Sequence, residues 1–200
     1  MLLGIDFDNT IVSYYGVFHR IALEKKIIPK GLPRSKDSVR NYLRSTGEED
    51  EWTKMQGLVY GKKMDSCYPY PGVLDFFNFC NRTEIPLFII SHKTRHPFMG
   101  KKHDLHKAAT SWLEAQGFHE PEIGGIQRNR VFFETTKEKK IERIRTSGCT
   151  HFIDDLPEFL LHPNFPENIS RWLFDPAKNY QGINKLRRFE SWQDILSEVS

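Results

Sequence analysis

Cysteine is scarce in this 200-residue chain. Cys67, Cys80 and Cys149 are odd in number and fit no zinc or redox spacing. No disulfide framework is expected, and a reducing cytoplasm is the simplest compartment. Long apolar runs are missing too. None approaches the ~20 residues that span a bilayer, so no membrane association is expected. The N-terminus reaches Asp6 without the basic start and longer apolar stretch of a secretory signal. Nor is there a large excess of one charge: 29 Lys and Arg against 26 Asp and Glu leave a formal +3. That falls short of the basic footprint of a dedicated nucleic-acid binder. Without repeats or low-complexity segments, the chain reads as one globular domain, or one domain carrying a sizeable insertion.

Strand signals recur at 2–7, 86–90, 130–133, 151–153 and 170–174. The first is apolar nearly throughout, as in strands buried on both faces of a parallel sheet. Helical spacing lies between them. Val73, Phe76, Phe77 and Cys80 follow Pro71, and Leu105, Ala108, Ala109, Trp112 and Leu113 run up to a closing Gly117. Ile141 and Ile144 mark a third helix. Ser191 is placed to cap a last one through Trp192, Ile195 and Val199. Strands alternating with helices predict a parallel α/β sheet. Residues 14–70 break the rhythm. Phe18, Ile21 and Ala22, then Val39, Tyr42 and Leu43, then Trp52, Met55 and Val59 predict three helices and no strand. Tyr68-Pro69-Tyr70-Pro71-Gly72 reads as the return linker.

Open α/β sheets build their sites beyond the carboxyl ends of the strands. Asp6 and Asp8 follow the first strand, Ser91 and His92 the second, and Asp154 and Asp155 the fourth. Lys137 opens the helix leading into that fourth strand. Carboxylates gathered at one edge repel, and a hard divalent cation with oxygen ligands relieves the repulsion. A carboxylate can act as a nucleophile toward phosphorus, a second acid can move the proton, and a hydroxyl and an amine can hold phosphoryl oxygens. His92, Lys93, Arg95 and His96 are placed to meet an anionic substrate, or else form an ordinary polar loop. Lys139 and Lys140 read as a solvated helix face.

These stretches together resemble the haloacid dehalogenase (HAD) superfamily at all four of its motifs. Ile5-Asp6-Phe7-Asp8-Asn9-Thr10 resembles the first and Ile89-Ile90-Ser91 the second. Lys137, with Ile141 and Ile144 behind it, resembles the third, and Phe152-Ile153-Asp154-Asp155 the fourth. The resemblance implies a Rossmann-like three-layer α/β/α core with a central parallel sheet, made of residues 1–13 and 71–200. Residues 14–70 would be an α-helical cap of the C1 type.

It also implies roles. Asp6 would be the nucleophile, and Asp8 the acid/base and a donor to Mg2+ through its backbone. Ser91, His92 and Lys137 would bind the phosphoryl group. Asp6, Asp8, Asp154 and Asp155 would form the metal site, with the direct ligand of the last pair left open. An acid at Asp8 separates the phosphoryl branch from the dehalogenases, which lack it. The expected activity is Mg2+-dependent hydrolysis of a small phosphate ester, a sugar phosphate or nucleoside monophosphate, in the cytoplasm. A phosphotransferase or mutase, separable by adding an acceptor alcohol, and a non-catalytic phospho-ligand-binding protein are the alternatives. Oligomeric state and substrate identity are not readable from the residues.

Overall fold

The alternation of apolar strands and amphipathic helices yields the expected sheet. A computed structural model describes residues 1–200. Its strands are β1 (Leu3–Ile5), β2 (Val12–Ser13), β3 (Tyr68–Pro69), β4 (Leu87–His92), β5 (Val131–Glu134), β6 (His151–Asp154), β7 (Ser170–Phe174) and β8 (Arg187–Phe189). Its helices are α1 (Val17–Glu24), α2 (Lys36–Ser45), α3 (Glu49–Tyr60), α4 (Val73–Arg82), α5 (Leu105–Ala115), α6 (Lys137–Thr146), α7 (Pro157–Leu160) and α8 (Trp192–Val199). Six strands form one sheet in the order β5-β4-β1-β6-β7-β8, with every neighbouring pair parallel. β2 and β3 form a separate two-stranded ribbon. No helix is long and apolar enough to cross a membrane.

The chain divides into two compact units. The first comprises Met1–Val12, Pro69–Lys93 and Leu113–Ser200 and carries the six-stranded sheet. β1 lies inside the sheet, and Leu3, Ile5 and Phe7 have no solvent exposure. Gly4 pairs with Phe152 across the β1–β6 register. A Cβ on Gly4 would lie 2.6 Å from the Phe152 ring and 2.9 Å from Cys149 Sγ. The missing side chain is what lets that ring lie across the strand. Phe152, Phe159, Leu160, Ile141 and Ile144 then form one buried cluster with Ile90. Elsewhere in the same unit, Phe76 of α4 meets Trp192 of α8 at 5.0 Å between ring centroids, and Trp192 Nε1 donates to the Thr10 carbonyl at 3.0 Å. All three cysteines are free and buried. Burial pushes the Cys80 and Cys149 thiols up to about 12, so they act as small apolar groups.

Within the six-stranded sheet, the differences from the sequence reading lie at element ends and at one edge; outside it, β3 at Tyr68–Pro69 is a short strand in the stretch 14–70, where none was expected. β8 was not anticipated. Its sequence is Arg187-Arg188-Phe189 with only the Phe buried, and so short a polar edge strand leaves no apolar run to detect. β4 continues beyond Ile90, because Ser91 and His92 still pair with Phe133 and Glu134. β1 stops at Ile5. The chain then enters a turn in which Ile11 N–H and Val12 N–H both donate to the Phe7 carbonyl, with Asn9 at φ 58°.

The second unit comprises Ser13–Tyr68 and Thr94–Trp112. α1 and α3 pack through Phe18 and Trp52, 5.0 Å between ring centroids, and Tyr14, just before α1, meets Tyr60 of α3 at the same separation. The Lys36 ammonium lies 5.5–5.8 Å from the Tyr14, Phe18 and Tyr60 rings. Thr94–Trp112, part of the 71–200 core that the resemblance implies, packs with this unit instead. The physical reason is on α3. Cβ atoms at Gly57 and Gly61 would meet Pro97 at 2.6 Å and His103 at 2.7 Å, so two glycines leave the groove that this segment fills. Trp112 Nε1 fastens it by donating to the Cys67 carbonyl at 2.9 Å.

Gly4 supplies a test of the central packing. Gly4→Ala is expected to destabilise by roughly 1–3 kcal/mol, because neither Phe152 nor Cys149 has room to move aside. That corresponds to a Tm lower by several degrees in thermal unfolding. Gly31→Ala, where an added Cβ meets nothing within 4 Å, should leave Tm nearly unchanged; equal losses in the two variants would contradict this account.

Candidate active site

Parallel strands end at one edge, and the register decides what meets there. Ile5 pairs with Ile153, and Asp6 N–H donates to the Ile153 carbonyl at 2.9 Å. Asp6 and Asp154 therefore follow one another across adjacent strands. Both are removed from solvent, Asp154 completely. Asp154 Oδ1 accepts from Leu156 N–H at 2.9 Å, which turns the chain into α7. Leu156 is the residue that precedes this helix, with Pro157 in its first turn, so Asp154 orients the turn rather than capping the helix itself.

Two buried carboxylates this close need a cation, and the chain provides one. Lys140 Nζ donates to Asp6 Oδ1 and to Asp154 Oδ2, each at 2.6 Å. Its side chain is 4% exposed. Burial disfavours the ammonium, but the charges and hydrogen bonds of Asp154 and Asp6 outweigh that, so Lys140 is held protonated. For Asp154, burial raises the carboxyl's affinity for protons and the Asp6 charge adds to it, against Lys140 and the Leu156 N–H.

Lys140 corrects the expectation for this position. Lys137, the phosphate-binding lysine that the resemblance implies, is exposed at the first turn of α6. Thr136 caps that helix, its Oγ1 accepting from Lys139 N–H at 3.2 Å. Lys140 lies about 4.5 Å further along the helix axis and reaches between β1 and β6. Lys137 and Lys140 both stand at helical spacing from Ile144, so periodicity does not separate them. Depth along the helix does, and the run Lys137-Glu138-Lys139-Lys140 reads as solvated surface until α6 is docked.

A second buried lysine serves the neighbouring aspartate. Lys93 Nζ donates to Asp8 Oδ1 at 3.0 Å and to Oδ2 at 2.7 Å. Lys93 is buried, so it is not the solvated loop residue that the polar run from His92 to His96 implied. Ser91 is also buried at the end of β4. His92 is half-buried. Burial, followed by the charge of Lys140, holds its imidazole below the ordinary value, against a backbone hydrogen bond with Thr135. Asp6, Asp8, Ser91, His92, Asp154 and Asp155 are thus all at the carboxyl edge of β1, β4 and β6, as their positions after the strands required.

The donor set fits a hard cation. Asp6, Asp154 and Asp155 place ligand oxygens within 4.8 Å of one another. Lys140 brings one positive charge to the two aspartates it touches, so negative charge remains in excess. An all-oxygen, carboxylate-rich set of this kind suits Mg2+ rather than a softer metal. Asp8 is not part of this carboxylate cluster; its side chain is turned to Lys93 instead.

No protein-family model and no curated protein matches the chain. Solved structures do resemble it. One is a predicted phosphoglycolate phosphatase from Haemophilus somnus 129pt, with TM-score 0.61 and 14% identity over 100% of this chain and 97% of that one. Another is a HAD-superfamily hydrolase from Ehrlichia chaffeensis, with TM-score 0.53 and 12% identity over 99% and 95%. A third is a putative HAD-hydrolase from Bacillus subtilis bound to magnesium, with TM-score 0.57 and 13% identity over 100% and 98%. Likeness at such identities speaks for the fold: this chain has the HAD-like α/β architecture, and its buried carboxylate cluster sits at the edge where such sheets carry their sites.

Proposed function

We propose that this protein is a Mg2+-dependent phosphomonoester hydrolase that acts on a small phosphorylated metabolite through a phosphoryl-enzyme formed on Asp6. The observation that carries this reading is the buried Asp6–Lys140–Asp154 cluster, with Asp155 beside it, at the carboxyl edge of a parallel sheet. A carboxylate held there has few uses in stability alone, since buried ion pairs contribute little net. The magnesium-bound Bacillus subtilis neighbour agrees with the cation assignment.

Each residue then has a task. Asp6 attacks phosphorus; a bond forms from its carboxylate oxygen, and the bond from phosphorus to the ester oxygen breaks. Asp8, an ionised carboxylate beside Lys93 at rest, takes up a proton from solvent before the ester departs and gives it to the departing oxygen. Water next attacks the phosphoryl group, Asp8 takes the proton back, and the acyl-phosphate bond breaks to release phosphate and free Asp6. Lys140 keeps the Asp6 carboxylate oriented and adds positive charge where phosphoryl oxygens gather. Ser91 and His92 are the polar groups at the end of β4 assigned to hold those oxygens. Asp6, Asp154 and Asp155 would hold Mg2+, which would offset the negative charge of the carboxylates and of the phosphoryl group. The second unit departs from the first at Ser13 and Thr94, each a short way along the chain from a site residue. We assign it the role of a cap that supplies substrate contacts. Sugar phosphates and nucleoside monophosphates are the substrate classes proposed, and 2-phosphoglycolate joins the test panel on the strength of the Haemophilus neighbour.

Hydrolysis of para-nitrophenyl phosphate should require magnesium and stop in EDTA. Asp6→Asn should lower kcat by more than about a thousandfold, as losing a nucleophile does. Full activity in that variant would overturn the mechanism. The two lysines should separate cleanly. Lys140→Gln is expected to lose about a hundredfold or more in kcat/KM and to melt earlier, because breaking a buried pair costs about 3–5 kcal/mol. Lys137→Ala should stay within about twofold of wild type, as expected for an exposed side chain. The reverse order in steady-state assays would restore Lys137 to the site.

A further inference from the structure

Resting on the phosphatase reading above, we infer that Lys93 is a positioning residue that sets the Asp8 carboxylate for proton transfer. Two buried lysines divide three aspartates between them, Lys140 taking Asp6 and Asp154 and Lys93 taking Asp8. Lys140 contacts the nucleophile, and Lys93 contacts the acid/base through both carboxylate oxygens. Asp8 needs such a partner. It stands on a turn beyond the end of β1, next to a left-handed Asn9, and its side chain is 20% exposed. A carboxylate on a turn samples several rotamers, and an ammonium facing both oxygens selects one.

Lys93 is itself held from both ends. Its N–H donates to the Glu134 carbonyl at 2.8 Å, which fixes where the chain leaves the sheet after β4. Its ammonium lies 5.4 Å from the centroid of the Phe7 ring, and Phe7 meets Phe133 edge to face at 5.4 Å. The result is a rigid arm only 3% exposed at its side chain. A lysine that captured anionic substrate would extend into solvent; this one points its charge at Asp8. Lys93 carries no proton in the reaction. It holds the group that does, and geometry of this kind acts in the transition state rather than in substrate binding.

The test uses the full chain, with magnesium, on two probes: para-nitrophenyl phosphate and the alkyl phosphate of the panel that is turned over fastest. An aryl oxygen departs without help, whereas an alkyl oxygen needs the Asp8 proton. Lys93→Met is expected to lower kcat by about tenfold or more with KM within about twofold. Its kcat/KM should fall further for the alkyl ester than for the aryl one, and Lys93→Arg should recover part of the loss. A rise in KM equal for both probes would make Lys93 a phosphate ligand, and unchanged or raised activity would remove it from the machinery; either result overturns the inference. A second readout needs no turnover. In EDTA, the Tm loss of Lys93→Met combined with Asp8→Asn should be smaller than the sum of the single losses, and additive losses would deny the pairing. If the wild-type protein hydrolysed no ester, the phosphatase reading would fail, while this thermal cycle would still decide whether Lys93 holds Asp8.

Discussion

The Lys140 ammonium between Asp6 and Asp154 is the contact on which the rest of this site depends. Two carboxylates at the ends of adjacent strands, both withdrawn from water, would repel one another at short range and low dielectric. One cation at 2.6 Å from each relieves that repulsion and joins α6 to β1 and β6. The compensation is incomplete, because a third carboxylate, Asp155, lies within reach of the other two. The same cluster therefore joins elements of the fold locally and keeps an excess of negative charge. A structural ion pair would be satisfied by equal numbers of opposite charges; this one is left short of positive charge.

The sheet explains why the charges assemble. With every neighbouring pair parallel, each strand delivers its last residue to the same edge. β1 lies between β4 and β6, so groups after three consecutive positions in the sheet become neighbours although their sequence separations exceed eighty residues for Asp8 and Lys93. Packing keeps this edge rigid. Gly4 admits the Phe152 ring, and the cluster of Phe152, Phe159, Ile141 and Ile144 fixes α6 and α7 against the strands. Small shifts of α6 would move Lys140 away from both carboxylates at once, which ties the geometry of this cluster to core packing.

Much of this was legible beforehand, for reasons that differ by residue. Five of the six strands of the sheet are apolar runs, and a buried parallel strand has to be one. The placement of Asp6, Asp8, Ser91, Asp154 and Asp155 at the carboxyl edge was readable because it needs only the strand ends to be known. The cap at Ser191 was readable as well, since a side-chain acceptor three residues before a free N–H is a local pattern. β8 was not, because two exposed arginines and one phenylalanine carry no periodicity.

Local chemistry, then, is written along the chain: which runs are apolar, where helices begin, and which acids follow which strands. Partner choice is not. Lys140 rather than Lys137, Lys93 on Asp8, and Thr94–Trp112 beside α3 all follow from depth and docking. Lysines three residues apart look alike on a helical wheel, and their burial differs only once α6 has met the sheet. The glycines at 57 and 61 become a groove only when Pro97 and His103 arrive to fill it. Periodicity reports the face of an element; the distance from a side chain to its partner across the fold is set when elements pack, and charge pairing follows that distance.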